Sequence, residues 1–144
     1  MIKRAKTADA AVAGKLAAEL WPDHNPEEMA EDLLPLLDRA DAAVFLAWEE
    51  NTPVGFAQCQ LRRDYVEGTS TSPVGYLEGI YVTDSSRGRG IARQLLAECQ
   101  NWAKEQGCAE FASDCELSNE QSLLFHKAVG FQEANRIICF TKQL

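Results

Sequence analysis

The chain has 144 residues, 46% of them hydrophobic and 25% charged, with a formal net charge of -8. That length supports one domain with its own core, taken as residues 1–144, and the composition is that of a globular protein. The acidic balance excludes a nucleic-acid binder, whose phosphates need a basic face, and suits a small cationic partner. No apolar run approaches the roughly 20 residues of a membrane span.

In chain order, Ile2 to Ala5 reads as an opening strand. Thr7 can cap a helix from Ala8 to Leu20 whose buried stripe is Val12, Leu16 and Leu20, stopped by Trp21-Pro22. Asn25-Pro26-Glu27-Glu28 opens a second helix with a cap, a proline at its first position and acids in its first turn. It runs to about Arg39 with Met29, Leu33, Leu36 and Leu37 inward and a bend expected near Pro35. Ala42 to Glu49 and Val54 to Tyr65 are strands around a turn at Glu50-Asn51-Thr52-Pro53, and Val66 to Pro73 is a polar loop.

Val74 to Val82 is a further strand, followed by a helix from Gly90 to Glu105 with Leu95, Leu96, Cys99 and Trp102 on its apolar face. Cys108 to Cys115 is a strand. Ser118-Asn119 caps a short helix through Ala128, and Gly130 stops it. Phe131 to Asn135 and Ile137 to Lys142 read as two final strands. The order β-α-α-β-β-β-α-β-α-β predicts an α/β (α+β) fold with helices on a mixed, largely antiparallel sheet.

The five cysteines are scattered, without a Cys-x-x-Cys pair, and there are only two histidines. A zinc or other metal site and a disulfide framework are not expected, and the cysteines read as reduced packing residues. The first residues, Met-Ile-Lys-Arg-Ala-Lys, lack the apolar stretch of a signal peptide, so a cytoplasmic location is expected.

The most informative stretch is Ser72 to Leu96. An apolar strand runs through Arg87-Gly88-Arg89-Gly90-Ile91-Ala92 into a helix, with Arg93 in its first turn. Glycines let a ligand approach the backbone, first-turn N–H groups lack partners, and the helix dipole favours anions, so this turn is a phosphate cradle. The fingerprints of nucleotide-binding loops are absent, because no Gly-x-x-x-x-Gly-Lys-Ser/Thr occurs and position 93 is Arg where Gly-x-Gly-x-x-Gly needs glycine.

Arg87, Gly90 and Ala92 do match Arg/Gln-x-x-Gly-x-Gly/Ala. This resembles the acyl-CoA pyrophosphate loop of the GNAT superfamily of N-acetyltransferases. The element order and the Asn119…Phe125-His126…Gly130-Phe131 segment extend the resemblance over nearly the whole chain. More narrowly, LEGIYV, EFASD, Trp21-Pro and GFQEANR look like bacterial aminoglycoside 6′-N-acetyltransferases.

The resemblance implies acetyl-CoA as co-substrate and a small cationic amine, an aminoglycoside, as acceptor. The backbone of Ile80, Tyr81 and Val82 would pair with the pantetheine arm. Arg87 and the turn Gly88, Arg89, Gly90, Ile91, Ala92 and Arg93 would hold the pyrophosphate. Gly79 would mark a bulge that splays this strand from the Cys108–Cys115 strand. Asn119 matches a pantetheine contact and equally reads as a helix cap.

Acetyl transfer needs an amine freed of its proton, and the resemblance makes Glu78 and Asp114 the carboxylates that bind the amine and pass the proton on. Strand alternation alone leaves Glu78 readable as a solvent-facing residue and Asp114 as a strand-end residue. Trp21 and Tyr65 resemble aromatic positions lining the acceptor cleft, although Trp21 also reads as a helix-end core residue. Asn135 stands where the family tends to place a carboxylate, with Glu133 nearby. His126 stands where many members have a tyrosine acid, and reads more simply as a satisfied surface histidine. The edge strand Ile137 to Lys142 is expected to pair or swap across a homodimer, as the resemblance implies. Two alternatives stay open: another amine acceptor in the same enzyme class, and an acyl-CoA-binding module without turnover.

Overall fold

The computed structural model describes residues 1–144. Its framework is a five-stranded sheet of β1 (Ile2–Arg4), β2 (Ala42–Glu49), β3 (Thr52–Arg62), β4 (Val74–Val82) and β5 (Phe111–Ser113), arranged in that order. The first four strands are antiparallel neighbours, while β5 lies parallel to β4. Tight connections permit the antiparallel pairs; the parallel one requires a crossover, supplied by α3 (Ile91–Glu105).

Helices α1 (Ala10–Leu20) and α2 (Pro26–Leu37) cover one face, and α3 covers the other. This explains why β2 is a continuous apolar run: Ala42 through Ala47 are all buried, with Val44 and Leu46 packing toward α1 and α2 and Ala43, Phe45 and Ala47 toward α3. A fourth helix, α4 (Glu120–Ala128), closes against the N-terminus of α3, where the Arg93 guanidinium donates to the Ala128 carbonyl at 3.3 Å.

Helix starts follow the expected chemistry with one exception. Asn25 accepts from the Glu28 N–H at 2.8 Å, with Pro26 as the first helical residue, and Asn119 accepts from the Ser122 N–H at 3.1 Å. Thr7 does not cap α1. It opens a short 3-10 turn, Thr7–Asp9, in which the Asp9 carboxylate accepts from the Lys6 N–H. The buried face of α1 also differs: Ala13, Gly14, Leu16 and Ala17 are buried, whereas Val12 and Leu20 are only partly so. Small residues make this face because α2 packs there backbone against backbone.

Four expected strands change. The second long strand, β3, ends at Arg62 and leaves Tyr65 outside it. The fifth strand is only Phe111–Ser113, since the preceding backbone turns to bring Glu110 under the Ser70–Thr71 loop. The two final strands, Phe131–Asn135 and Ile137–Lys142, do not form: residues 131–144 carry neither helix nor strand. Their β-prone sequence lacks a ladder partner within the chain, and Ile137, Ile138 and Phe140 remain 66%, 80% and 86% exposed. Among the cysteines, Cys59 and Cys99 are buried packing residues as expected, but Cys115 and Cys139 are exposed. Contact with the Cys59 thiol first, and then burial, push the Cys99 thiol well above its usual range, so it packs as a neutral group.

Candidate active site

The sheet opens at β4. Three residue pairs, Gly75↔Phe111 to Leu77↔Ser113, join β5 to β4, and beyond Leu77 the two strands part. On the other edge of β4, Gln58 faces Gly79 and Cys59 faces Leu77, so Glu78 is the extra residue of a bulge. The bulge lies where Gly79 suggested one, and it turns both Glu78 and Gly79 toward the α1 face. A Cβ on Gly79 would lie 2.7 Å from the Trp21 ring, so glycine is what lets the indole lie across the strand there.

Past the bulge the alternation resets. Thr83 N–H donates to Val54 on the β3 side, so in antiparallel geometry Val82 and Ile80 present their backbone groups to the opening. The Val82 carbonyl is already met there by the Arg87 Nε–H at 2.9 Å. An extended ligand can lie along this edge as a further strand.

The opening runs into the glycine turn. Gly88 and Gly90 both take φ of 79°, and a Cβ on either would meet nothing within 4 Å. Backbone conformation and access, not crowding, therefore call for glycine at both. From Gly88 through Arg93 no backbone N–H finds an acceptor within the chain. Six consecutive free donors, the last three in the first turn of a 15-residue helix, make an anion cradle.

The arginines around it are held in place. Arg87 pairs with Asp84 at 3.0 Å, Arg89 donates to Glu49 at 3.1 Å and to the Ser85 carbonyl at 2.9 Å, and Arg93 reaches Ala128. A cleft of about 230 Å³ lies over the turn, walled by Val82, Ile91 and, from α4, Phe125 and Ala128. Those α4 contributions were missed in the sequence reading, because nothing local marks a helix as the opposite wall of a loop.

The acid-base candidates lie on the other side of β4, on the face toward α1. Strand alternation puts Gln58, Gln60 and Arg62 of β3 with Val74, Tyr76 and Glu78 of β4. Arg62 clamps Glu78: its Nε donates to Oε1 at 3.0 Å, and Nη2 donates to Oε1 and Oε2 at 2.9 and 2.8 Å. The same guanidinium lies 3.4 Å above the Tyr76 ring. The Tyr76 hydroxyl in turn donates to Asp114. Burial first, and then the Asp114 carboxylate, push the Tyr76 phenol well above its usual range, so it remains a donor throughout the physiological range.

Glu78 and Asp114 thus belong to one connected group, which Arg62 and Tyr76 complete; neither of those two was anticipated. The i, i+2, i+4 polar series Gln58, Gln60, Arg62 was the available signal, since a strand with that alternation must turn it toward a wet cleft.

The remaining candidates separate into two groups. Trp21 lines the same wall, edge-on to Phe56 with ring centroids 6.2 Å apart. Tyr65 stands 75% exposed, beyond the end of β3 at Arg62. Asn135 does not reach the carboxylates: its amide donates to Glu67 at 2.8 Å and ties the tail to the polar loop. Glu133 is paired with Arg136, which holds its carboxyl below the usual range. Glu110 fixes the other side of that loop by accepting from the Ser70 and Thr71 N–H groups at 2.9 and 2.8 Å. His126 sits between α4 and β5, with Nδ1 2.7 Å from the Ser122 carbonyl and Nε2 2.8 Å from Ser113 Oγ. Both ring nitrogens are engaged, as the simpler reading of this residue expects.

Comparison with known proteins bears on this arrangement. A model described as the Acetyltransferase (GNAT) family matches residues 13–131. An aminoglycoside N(6′)-acetyltransferase type 1 of Stenotrophomonas maltophilia is 44% identical, over 99% of this chain and 93% of the relative. One of Serratia marcescens is 40% identical over 90% and 89%. Among solved structures, the complex of AAC(6′)-Iy with the bisubstrate analogue CoA-S-monomethyl-acetylneamine superposes with a TM-score of 0.95 at 37% identity, covering 100% of this chain and 98% of that one. AAC(6′)-Ih from Acinetobacter baumannii gives 0.93 at 34%, covering 100% and 98%.

Proposed function

Because the chain belongs to the GNAT acetyltransferase family, we propose that it transfers the acetyl group of acetyl-CoA to the 6′-amino group of an aminoglycoside, directly and within a ternary complex. The observation that carries the reading is the fork at Leu77: one edge of β4 leads into the anion cradle, and the bulge beside it delivers Glu78 to the face toward α1, beside Asp114. The donor and the acceptor approach one strand from its two sides. The residues fit a CoA thioester: six free N–H groups and Arg87, Arg89 and Arg93 for the pyrophosphate, and the exposed edge Ile80–Val82 for the pantetheine arm. Asn119, at the start of α4, is assigned to the same arm in addition to its cap.

On the acceptor side, an alkylammonium must lose its proton before it attacks, since such groups titrate near lysine's pKa of about 10.4. Glu78 receives that proton, through water, and Asp114 helps hold the cation. The Val82 N–H, facing the opening, is placed to meet the charge that develops on the acetyl oxygen. Trp21 and Tyr65 line the cleft against the sugar rings, and Asn135 acts through the loop that carries Glu67.

The test is release of CoA thiol with a panel of kanamycin-like acceptors differing only in whether C6′ bears NH2 or OH. Thiol release with the amine and none with the alcohol is expected. Equal release with both, or release only with polyamines or other small amines, would move the assignment to another acceptor; CoA binding without release for any amine would make it a binding module.

The protein is further proposed to act in the cytoplasm as a homodimer. No helix is long and apolar enough to cross a membrane. Supporting the dimer, the tail exposes Ile137, Ile138 and Phe140 while β5 keeps one edge without a neighbour, the pairing of needs that strand addition between copies satisfies. Ile138→Asp combined with Phe140→Asp should convert the dimer to a monomer in sedimentation velocity, and a wild-type monomer would overturn this assignment.

A further inference from the structure

The carboxylate assigned to the acceptor is already occupied by a cation of the chain itself. Arg62 takes both oxygens of Glu78 through three contacts of 2.8–3.0 Å. Its guanidinium also covers the Tyr76 ring, whose hydroxyl is bonded to Asp114. A carboxylate, an aromatic face and a second carboxylate around one volume form a receptor for an organic cation, and the guanidinium fills it.

We infer that Arg62 is an internal competitor for the acceptor site, so that an acceptor's ammonium binds between Glu78 and the face of Tyr76 by displacing the Arg62 guanidinium. This rests on reading the Glu78 face as the acceptor side of an acetyltransferase. It goes further by naming the place of the cation and a residue that sets the affinity threshold.

Two features of the pair favour exchange over a permanent structural bridge. The Arg62 side chain is 39% exposed while that of Glu78 is only 18% exposed, so the arginine comes in from the solvent side and has somewhere to withdraw. The pair also joins neighbouring strands already held by the β3–β4 ladder from Gly55↔Val82 to Arg62↔Val74, so the fold does not depend on it. An acceptor with several ammonium groups can engage Glu78 while another of its charges meets Asp114 at the Tyr76 hydroxyl. A lone amine has only one contact with which to evict a bidentate guanidinium, and falls below the threshold.

The experiment compares wild type with Arg62→Met, which keeps the stem and removes the charge, and Arg62→Lys, which keeps the charge and loses the fork. Calorimetry with neamine reads acceptor affinity without turnover, and thiol release reads KM. Arg62→Met should tighten neamine binding and lower acceptor KM about tenfold, with acetyl-CoA affinity unchanged and Arg62→Lys between the two. In wild type, the Nε–H proton resonance of Arg62, assigned by its loss in Arg62→Lys, should shift as neamine is titrated in.

An acceptor KM that rises or stays within twofold in Arg62→Met would overturn the inference, as would an Nε–H resonance unmoved at saturating neamine. If Arg62→Met fails to fold, the Arg62→Lys affinity and the resonance decide. If wild type releases no thiol with any aminoglycoside, the functional reading fails by itself, and the neamine affinity of Arg62→Met against wild type still decides the exchange. Absence of neamine binding in both would overturn it.

Discussion

Replacing Glu78 by Gln should lower kcat for acetyl transfer by about 100-fold or more while leaving the affinity for acetyl-CoA within twofold. The amide has the carboxylate's size and can still accept from Arg62, so the bulge and the β3–β4 pairing stay in place. What is removed is the capacity to take a proton, together with the negative charge that pairs with Arg62 and with the acceptor's ammonium. The donor cradle lies beyond Val82 on the opposite side of the strand and has no contact with position 78. The measurement is thiol-release kinetics beside calorimetric titration with acetyl-CoA. A kcat within threefold of wild type would remove Glu78 from the proton path and transfer that role to Asp114 or to water alone.

The parts of this site that were legible in the sequence are those whose geometry is local. Arg87 to Ala92 is readable because a glycine turn before an amphipathic helix produces free N–H groups whatever the rest of the chain does, and Asn25-Pro26-Glu27-Glu28 is readable as a helix start for the same reason. The limits of β2 and β4 follow from apolar runs between strong turns.

Arg62 was not legible, because its place over Tyr76 and Glu78 depends on the register of two strands and on a bulge that shifts it. A single residue of slippage would send Arg62 to the α3 face. Tyr76 reads as an apolar strand residue until Asp114 is found at its hydroxyl. The failure at the C-terminus has another cause. Ile137, Ile138 and Phe140 carry a real strand propensity, but a strand is a relation between two backbones, and the tail pairs with none, the free edge of β5 included. Asn135 was placed by analogy with a carboxylate at the site; instead the tail packs on the loop, where a Cβ on Gly68 would lie 2.4 Å from that of Ala134.

Gly14→Ala should destabilise the protein although it adds a better helix former to α1. In an exposed helix the exchange stabilises by about 1 kcal/mol, because glycine loses more backbone entropy on folding. At position 14 the added Cβ would lie 2.6 Å from the Ala30 nitrogen, 2.7 Å from the Pro26 carbonyl oxygen and 2.8 Å from the Ala30 Cα. All three are backbone atoms of α2, so no side chain can rotate away, and the helices must separate. Overpacking of this kind costs about 3 kcal/mol, which outweighs the propensity gain and leaves a net loss of about 2 kcal/mol, near 8 °C in Tm for a domain of this size. The same displacement reaches the acceptor wall, since Trp21 follows directly on α1 and lies against Gly79 beside Glu78. The cradle, built on α3 and β4, does not depend on that contact. Thermal unfolding with steady-state kinetics on the surviving fold should therefore show a lower Tm and a raised acceptor KM with an unchanged acetyl-CoA KM. A Tm at or above wild type would mean that α1 and α2 do not meet at Gly14, and equal rises in both KM values would mean that the two helices do not serve the acceptor side alone.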